Sequence, residues 1–371
     1  MILTCTACAK EHDSGLPQTV CGDCGQPLQA DYHFSTGQLS RDRDLADIDS
    51  LWRYHAFLPP LPASERVTLG EGMTPLSTAQ LGGITVRLKD ETGNPTGSFK
   101  DRGLCLAVTM ARHYGFERVV LPSAGNAGVS AAAYARAGGI ACRVYMPSTI
   151  PASFVEEVRG YGAEVILSGS TIAEAGQAMA AEINSSWFNL STLKEPYRVE
   201  GKKTMGLEIA EQLGWTAPDV VVYPAGGGTG LVGIYKALGE LRDLGWIDTP
   251  LPRMVAVQME GCAPVVKAFS AGAADIDPWP RPVTTALGLN VPSPMGGAWM
   301  LRTLRESGGT AVAIAESDLQ GARLRLAEAS GIEAGPEAAA AWRGAERLLD
   351  EGWIDPEDQV VIVITGDNSR Y

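Results

Sequence analysis

A chain of 371 residues, 45% apolar and 20% charged, is long enough for two core-bearing domains and too apolar to be largely disordered. A formal net charge of −13 excludes a general nucleic-acid binder and disfavours an anionic membrane surface. No apolar run reaches the length of a membrane span, and the start, MILTCTACAK, lacks the basic region and apolar core of a secretory signal.

Four of the seven cysteines lie in CTAC (Cys5, Cys8) and CGDC (Cys21, Cys24). The spacing C-x2-C-x12-C-x2-C allows tetrahedral four-thiolate ligation of a structural zinc, with Gly22 and Gly25 suiting the knuckle turns. The alternative is a ribbon that has lost its metal, or plain reduced thiols. Either way the cysteines point to a reducing, cytoplasmic setting. Residues 31–62 are polar and then proline-bounded (FLPPLPASE), which predicts a tether and no core element.

The strand-like ITVRLKDE opens the main body, and NPTGSFKDRG follows. Asn94, Pro95 and Gly97 punctuate, Ser98 can cap, and a helical pattern begins near Lys100. An ammonium at a positive helix end is electrostatically misplaced, so Lys100 reads equally as a solvated side chain at a frayed terminus or as a working neutral amine. The turn in LPSAGNAG places Asn126, whose amide can bond a ring oxygen, beside N–H groups of Ser123, Ala124, Gly125 and Ala127 that suit a carboxylate. Strand–helix alternation continues through ACRVYMPS and AEVILSG. In DVVVYPAGGGTG, a buried strand runs into Gly226, Gly227, Gly228, Thr229 and Gly230 at a helix start, an anion cradle that needs no lysine. Gly228, Gly230 and Gly233 also satisfy G-x-G-x-x-G, so a nicotinamide or flavin oxidoreductase stands as a remote alternative. QVVIVITG closes the set of buried strands.

A lysine that forms imines, a phosphate cradle and a carboxylate-ready turn together suit pyridoxal 5'-phosphate and an amino-acid substrate. NPTGSFKDRG, PSAGNAG, EGKKTMGLEIAEQLG and PAGGGTG, with LGEGMTPL and YRVEGKKTMG, resemble the tryptophan-synthase-β (fold type II) superfamily of pyridoxal phosphate enzymes, in its threonine synthase branch. The resemblance runs from about Leu69 to Thr365. It implies an α/β fold of two domains, with twisted, mostly parallel sheets flanked by helices, behind an N-terminal zinc-ribbon-like segment (1–30). The small domain would span 106–190, and the large cofactor-binding domain 63–105 and 191–371.

The resemblance further implies that Lys100 holds the cofactor as an imine and later moves protons. Asn126 would bond the ring oxygen, Gly226 to Gly230 with Thr229 would hold the phosphate, and Thr365 would face the ring nitrogen. O-phospho-L-homoserine and water would yield L-threonine and phosphate. Thr96, Ser98 and Arg198 are candidate substrate contacts, although Arg198 equally reads as a surface partner of Glu195 or Glu200. A homodimer is the family habit.

Three segments depart from that pattern. Thr192 and Leu193 replace an Asn-Ser pair, with Ser191 and Lys194 as substitutes. GPEAAAAWR replaces Pro-Glu-Gly-Ala-Ala. The ending TGDNSRY puts Asp367 where a carboxylate would repel a phosphorylated substrate unless paired, and TTALGLNVPSPMGGAWML reads as a reshaped pocket wall. These departures keep open a paralogue performing β-elimination or β-replacement on another amino acid (cysteate synthase-like or dehydratase-like), and a non-catalytic zinc-ribbon adaptor.

Overall fold

The computed structural model describes residues 1–370; Tyr371, the last residue of the expected large domain, lies outside the described residues. Strands β1 (Ile2–Cys5), β2 (Glu11–His12) and β3 (Leu28–Asp31) form a small antiparallel sheet in the order β2-β1-β3. Its own core holds Leu3, Cys5, Cys21, Leu28 and Ala30.

The rest of the chain builds two α/β units. A six-stranded sheet runs β12-β11-β10-β13-β5-β4, from β4 (Leu76–Leu81), β5 (Ile84–Asp90), β10 (Val220–Pro224), β11 (Arg253–Met259), β12 (Thr310–Ile314) and β13 (Val360–Ile364). All its pairings are parallel except β4 with β5. A four-stranded parallel sheet runs β8-β7-β6-β9, from β6 (Arg118–Pro122), β7 (Ala141–Met146), β8 (Glu164–Leu167) and β9 (Phe188–Asn189). β10 and β13 read VVVYP and VVIVI and are buried throughout, as expected of strands covered on both faces.

The helices are α1 (Arg41–Asp44), α2 (Lys100–His113), α3 (Asn126–Gly138), α4 (Ala152–Gly160), α5 (Ile172–Glu182), α6 (Tyr197–Gln212), α7 (Thr229–Asp243), α8 (Pro264–Ser270), α9 (Gly297–Glu306), α10 (Leu319–Ser330) and α11 (Pro336–Asp350). Among the described residues, no helix is long and apolar enough to cross a membrane.

The segment 31–62 does not behave as the expected tether. Leu51, Trp52, Leu58 and Leu61 pack into the core around α2 and α3, while Tyr54 and Phe57 enter the core around α6 and α7. Trp52 Nε1 donates to the Val67 carbonyl at 3.0 Å, and Tyr54 donates to Glu211 at 2.5 Å. Prolines and charges gave this segment its polar look, but its aromatic and aliphatic side chains bury enough apolar surface to seat it between both units.

Helices α2 and α6 cross closely. A side chain on Gly201 would stand 2.0 Å from the Arg102 carbonyl oxygen, and one on Gly103 2.8 Å from that of Arg198. Beside the crossing lies a fully buried ionic network. Arg102 pairs with Glu91 and Glu208 at 2.6 Å each, and Lys89 pairs with Glu208 at 2.7 Å. Burial alone would raise the Glu208 carboxyl, but Arg102 and Lys89 overcome it and hold it near about 2. Replacing Glu208 with alanine takes the carboxylate partner from buried Lys89 and one of two from buried Arg102. Glu208→Ala is expected to cost about 3–5 kcal/mol in urea unfolding; a loss below about 1 kcal/mol would contradict the network's structural role.

Candidate active site

The turn before α2 sets where its first side chain points. Gly97 (φ 70°) closes a turn by donating to the Asn94 carbonyl at 2.8 Å, in the left-handed region that favours glycine. Asp101 folds back and accepts from the Thr96 backbone N–H and hydroxyl, both at 2.6 Å. Ser98 is not the helix cap. Phe99 holds that position without a side-chain bond, and the Ser98 backbone bridges to Gly366. Thr96 and Ser98 are therefore spent on local structure and do not line the cavity described next.

Lys100 opens into a cavity of about 290 Å³ walled by both α/β units. Its Nζ lies 3.8 Å from the centre of the Phe99 ring. Burial, helped by the positive charge of Arg198 and opposed by Glu337, lowers Lys100 to about 7. Dehydration thus contributes most to making the amine neutral, ahead of any neighbouring charge.

Ser123, Ala124, Gly125, Asn126 and Ala127 form one wall. Ser123 Oγ accepts from the N–H groups of Gly125 (3.3 Å) and Gly128 (2.8 Å), shaping the turn into α3. Gly226, Gly227, Gly228 and Thr229 form the opposite wall. Here glycine is required: a Cβ on Gly226 would sit 2.1 Å from the Gly288 carbonyl oxygen, and one on Gly228 (φ 73°) 2.0 Å from Met300 Sδ. Gly230 lies off the cavity, where a Cβ would strike the Tyr223 hydroxyl at 2.2 Å, and Gly233 packs on α6. Of the three glycines in G-x-G-x-x-G only Gly228 reaches the cavity, and the second, which a dinucleotide's pyrophosphate would have to approach, is covered by Tyr223, which argues against the dinucleotide reading. Thr365, one residue past β13, lines the floor.

Arg198 is buried, not on the surface. It lines the cavity, donates through Nη1 to the Leu190 carbonyl at 2.7 Å, and leaves Nε buried without a hydrogen-bond partner among the described residues. Glu195 accepts instead from the backbone N–H groups of Tyr197 (2.6 Å) and Arg198 (3.0 Å), and burial pushes its carboxyl up to about 7. Glu200 pairs with Lys203 and Lys236.

Lys202 was not singled out from the sequence. Its Nζ donates to Thr229 Oγ1 at 2.5 Å, so a lysine does serve the glycine loop. Burial, then Arg198 and Lys100, lower it well below the usual lysine range. The available signal was its place four residues after Arg198, one turn along the same face of α6. Asn290, whose buried Oδ1 has no partner among the described residues, and Glu337 also line the cavity and were missed.

Of the divergent segments, 287–291 and 293–295 do form a pocket wall, and Thr192 reaches the cavity. Ser191 bonds to Asn189, and Lys194 is exposed away from the cavity. Asp367 stays out of the cavity. It accepts from Ser369 and lies 3.6 Å from Arg370, so it does not repel a ligand there.

At the N-terminus the four cysteine sulfurs converge, with Cys5–Cys24 at 3.4 Å, Cys8–Cys24 at 3.6 Å and Cys8–Cys21 at 3.7 Å. Tetrahedral zinc–thiolate bonds of about 2.3 Å require sulfur–sulfur edges of about 3.8 Å.

Residues 67–366 match the family described as pyridoxal-phosphate dependent enzyme. The threonine synthase of Methanosarcina acetivorans is 33% identical over 98% of this chain and 91% of that protein. The Methanocaldococcus jannaschii threonine synthase is 33% identical over 99% and 92%. Maize serine racemase, at 23% identity, superposes with a TM-score of 0.70 over 87% of this chain and 94% of that one, a likeness of fold. The chain belongs to the pyridoxal-phosphate dependent enzyme family, in the fold type II superfamily, and is a lyase of that family. The cavity fits such a cofactor: Lys100, Arg198 and Lys202 converge on it beside the glycine loop, and Arg198 Nε is buried with no hydrogen-bond partner among the described residues.

Because Lys100 is lowered to about 7, its neutral form is present above that pH and lost below it. The rate at which cofactor-free protein takes up pyridoxal phosphate, followed by absorbance, is expected to rise with a midpoint near about 7 and level off above it. A rise that continues towards about 10, where an ordinary lysine titrates, would contradict the assignment.

Proposed function

We propose that this member of the family is a threonine synthase, converting O-phospho-L-homoserine and water to L-threonine and phosphate. The observation that carries the reading is the charge imbalance of the cavity. Lys100, Arg198 and Lys202 converge there, and Arg198 Nε is buried with no hydrogen-bond partner among the described residues. Of the two carboxyls nearby, burial favours the neutral form of Glu195, and Glu337 accepts from the Gly288 N–H at 2.7 Å. Like charges held this close favour an anionic ligand, and a phosphate monoester carries the charge and the acceptors to match.

Pyridoxal phosphate, when bound, supplies an aldehyde for amines and a ring that draws electrons from the adjacent carbon. The N–H groups of Gly226, Gly227 and Gly228, with the Thr229 hydroxyl, would hold its phosphate; Asn126 would bond its ring oxygen and Thr365 its ring nitrogen. Thr365 brings a hydroxyl and no charge, so it does not enforce protonation of that nitrogen. The turn Ser123–Ala127 would take the substrate carboxylate, and Arg198 the substrate phosphate. Lys100 Nζ would remove the α-proton and then a β-proton; phosphate departs from the γ-carbon, one proton returns to that carbon to make the methyl group, water adds at the β-carbon, and the second proton returns to the α-carbon. Residues 106–190 would act as the small domain that closes over the substrate, and 63–105 with 191–371 as the large one. A cytoplasmic homodimer completes the reading.

The N-terminal thiols would hold one structural zinc, supported by their mutual distances and by the Ala7 and Cys8 N–H groups directed at Cys5 Sγ (3.4 and 3.5 Å). Four thiolates leave no open position, so the metal would take no part in catalysis.

Phosphate release with O-phospho-L-homoserine, joined to mass spectrometry of the product, tests the activity. Inorganic phosphate and threonine in equal amounts are expected; a keto acid, or turnover only with unphosphorylated amino acids, would point to the paralogue. Arg198→Ala and Lys202→Met are each expected to lower kcat/KM at least roughly 30-fold, the size of one charge-assisted bond of about 2 kcal/mol. Metal analysis is expected to find one zinc per chain, and Cys8→Ser should lower it; no zinc in the wild type, or an unchanged metal content in Cys8→Ser, would contradict the zinc site.

A further inference from the structure

The turn after β13 carries a cation that the proposed reaction does not use. Arg370 is almost enclosed, with 9% of its side chain exposed. Its Nε and Nη2 grip the Glu157 carboxylate of α4 at two points, 2.5 and 2.7 Å. Its carbonyl accepts from Ser153 Oγ at 3.3 Å. The remaining nitrogen, Nη1, donates to Asn126 Oδ1 at 3.4 Å. Arg370 does not line the cavity, whereas Asn126 does. The guanidinium therefore stands behind the cavity wall, joined to the chain terminus, to α4 and to the amide at the start of α3.

We propose that Arg370 is a positioning residue that fixes which end of the Asn126 amide faces the cofactor. This rests on the reading of Asn126 as the partner of the ring oxygen. The two ends of a carboxamide are nearly equal in shape but opposite in hydrogen-bonding sense. A guanidinium has only donors, so it selects the amide oxygen and leaves Nδ2 to face the cavity as a donor. The reversed amide would set N–H against guanidinium on one side and oxygen against oxygen on the other. Glu157, by holding two of the three guanidinium nitrogens, leaves only Nη1 to face Asn126. The seating of α4 is thereby linked to the bond at the cofactor ring.

Holoenzyme variants test this. Arg370→Met keeps the stem and removes every donor; Arg370→Lys keeps the charge without the two-point grip; Asn126→Ala removes the amide. The readouts are the position of the visible band of the bound cofactor and the concentration of pyridoxal phosphate needed to reload stripped protein. Arg370→Met is expected to shift the band and weaken reloading about tenfold, the size of one lost hydrogen bond. Arg370→Lys should recover part of both. In the Asn126→Ala background, Arg370→Met should add nothing, because its effect passes through the missing amide. A purely structural clip predicts the opposite. Full additivity, or an unshifted band and normal reloading in Arg370→Met, overturns the inference. Should Arg370→Met not fold, Glu157→Gln takes its place, with the same direction and the same lack of additivity expected. A wild-type band indifferent to Asn126→Ala would instead sink the reading of Asn126, and this inference with it.

Discussion

One buried guanidinium fixes the geometry of the cavity. Arg102 stands two residues beyond Lys100 and is answered by Glu91 and Glu208, while Glu208 is shared with Lys89. Removing four charges from water is costly, and only complete pairing within the network offsets it. The geometric result is that the first turn of α2 cannot shift against β5 or α6. The glycines at the α2–α6 crossing let the backbones meet, so Lys100 on one helix and Arg198 and Lys202 on the other reach the same cavity.

That convergence gives the site its chemistry. A lysine at a helix start invites an argument from the helix dipole, yet the amine is lowered chiefly by burial and then by Arg198. Lys202 is held in the same way, against the glycine loop, with Thr229 as its hydrogen-bond partner. The cavity collects cationic side chains and keeps most carboxylates at a distance or engaged elsewhere. An anionic ligand relieves this repulsion, which favours phosphorylated ligands over neutral ones of the same shape.

Motif residues that act through the backbone were legible, because their chemistry is local. Gly226 and Gly228 must be glycine because a Cβ there would strike Gly288 or Met300, and the chain on either side, a β-branched strand and a helix start, marks the loop. Thr96 and Ser98 misled for the opposite reason. A hydroxyl in a motif looks available, but Asp101 folds back onto Thr96 and the backbone of Ser98 joins the terminal strand's exit. Gly230 and Gly233 kept the spacing of a nucleotide loop while serving Tyr223 and α6. The polar appearance of 31–62 hid Trp52, Tyr54 and Phe57, whose burial depends on two units folding around them.

The sequence alone determined the α/β alternation, the glycine-rich strand-to-helix turn, the lysine at a helix start and the four-cysteine spacing, since each is written in residues close together in the chain. Tertiary structure decided the rest: that Arg198 lies inside with no hydrogen-bond partner for Nε among the described residues, that Lys202 serves the cradle, and that Arg370 stands behind Asn126 while gripping Glu157. These contacts join residues 27, 213 and 244 positions apart or turn on burial. Side-chain charge is visible in a sequence, but its distance from other charges and from water is set only when the helices pack.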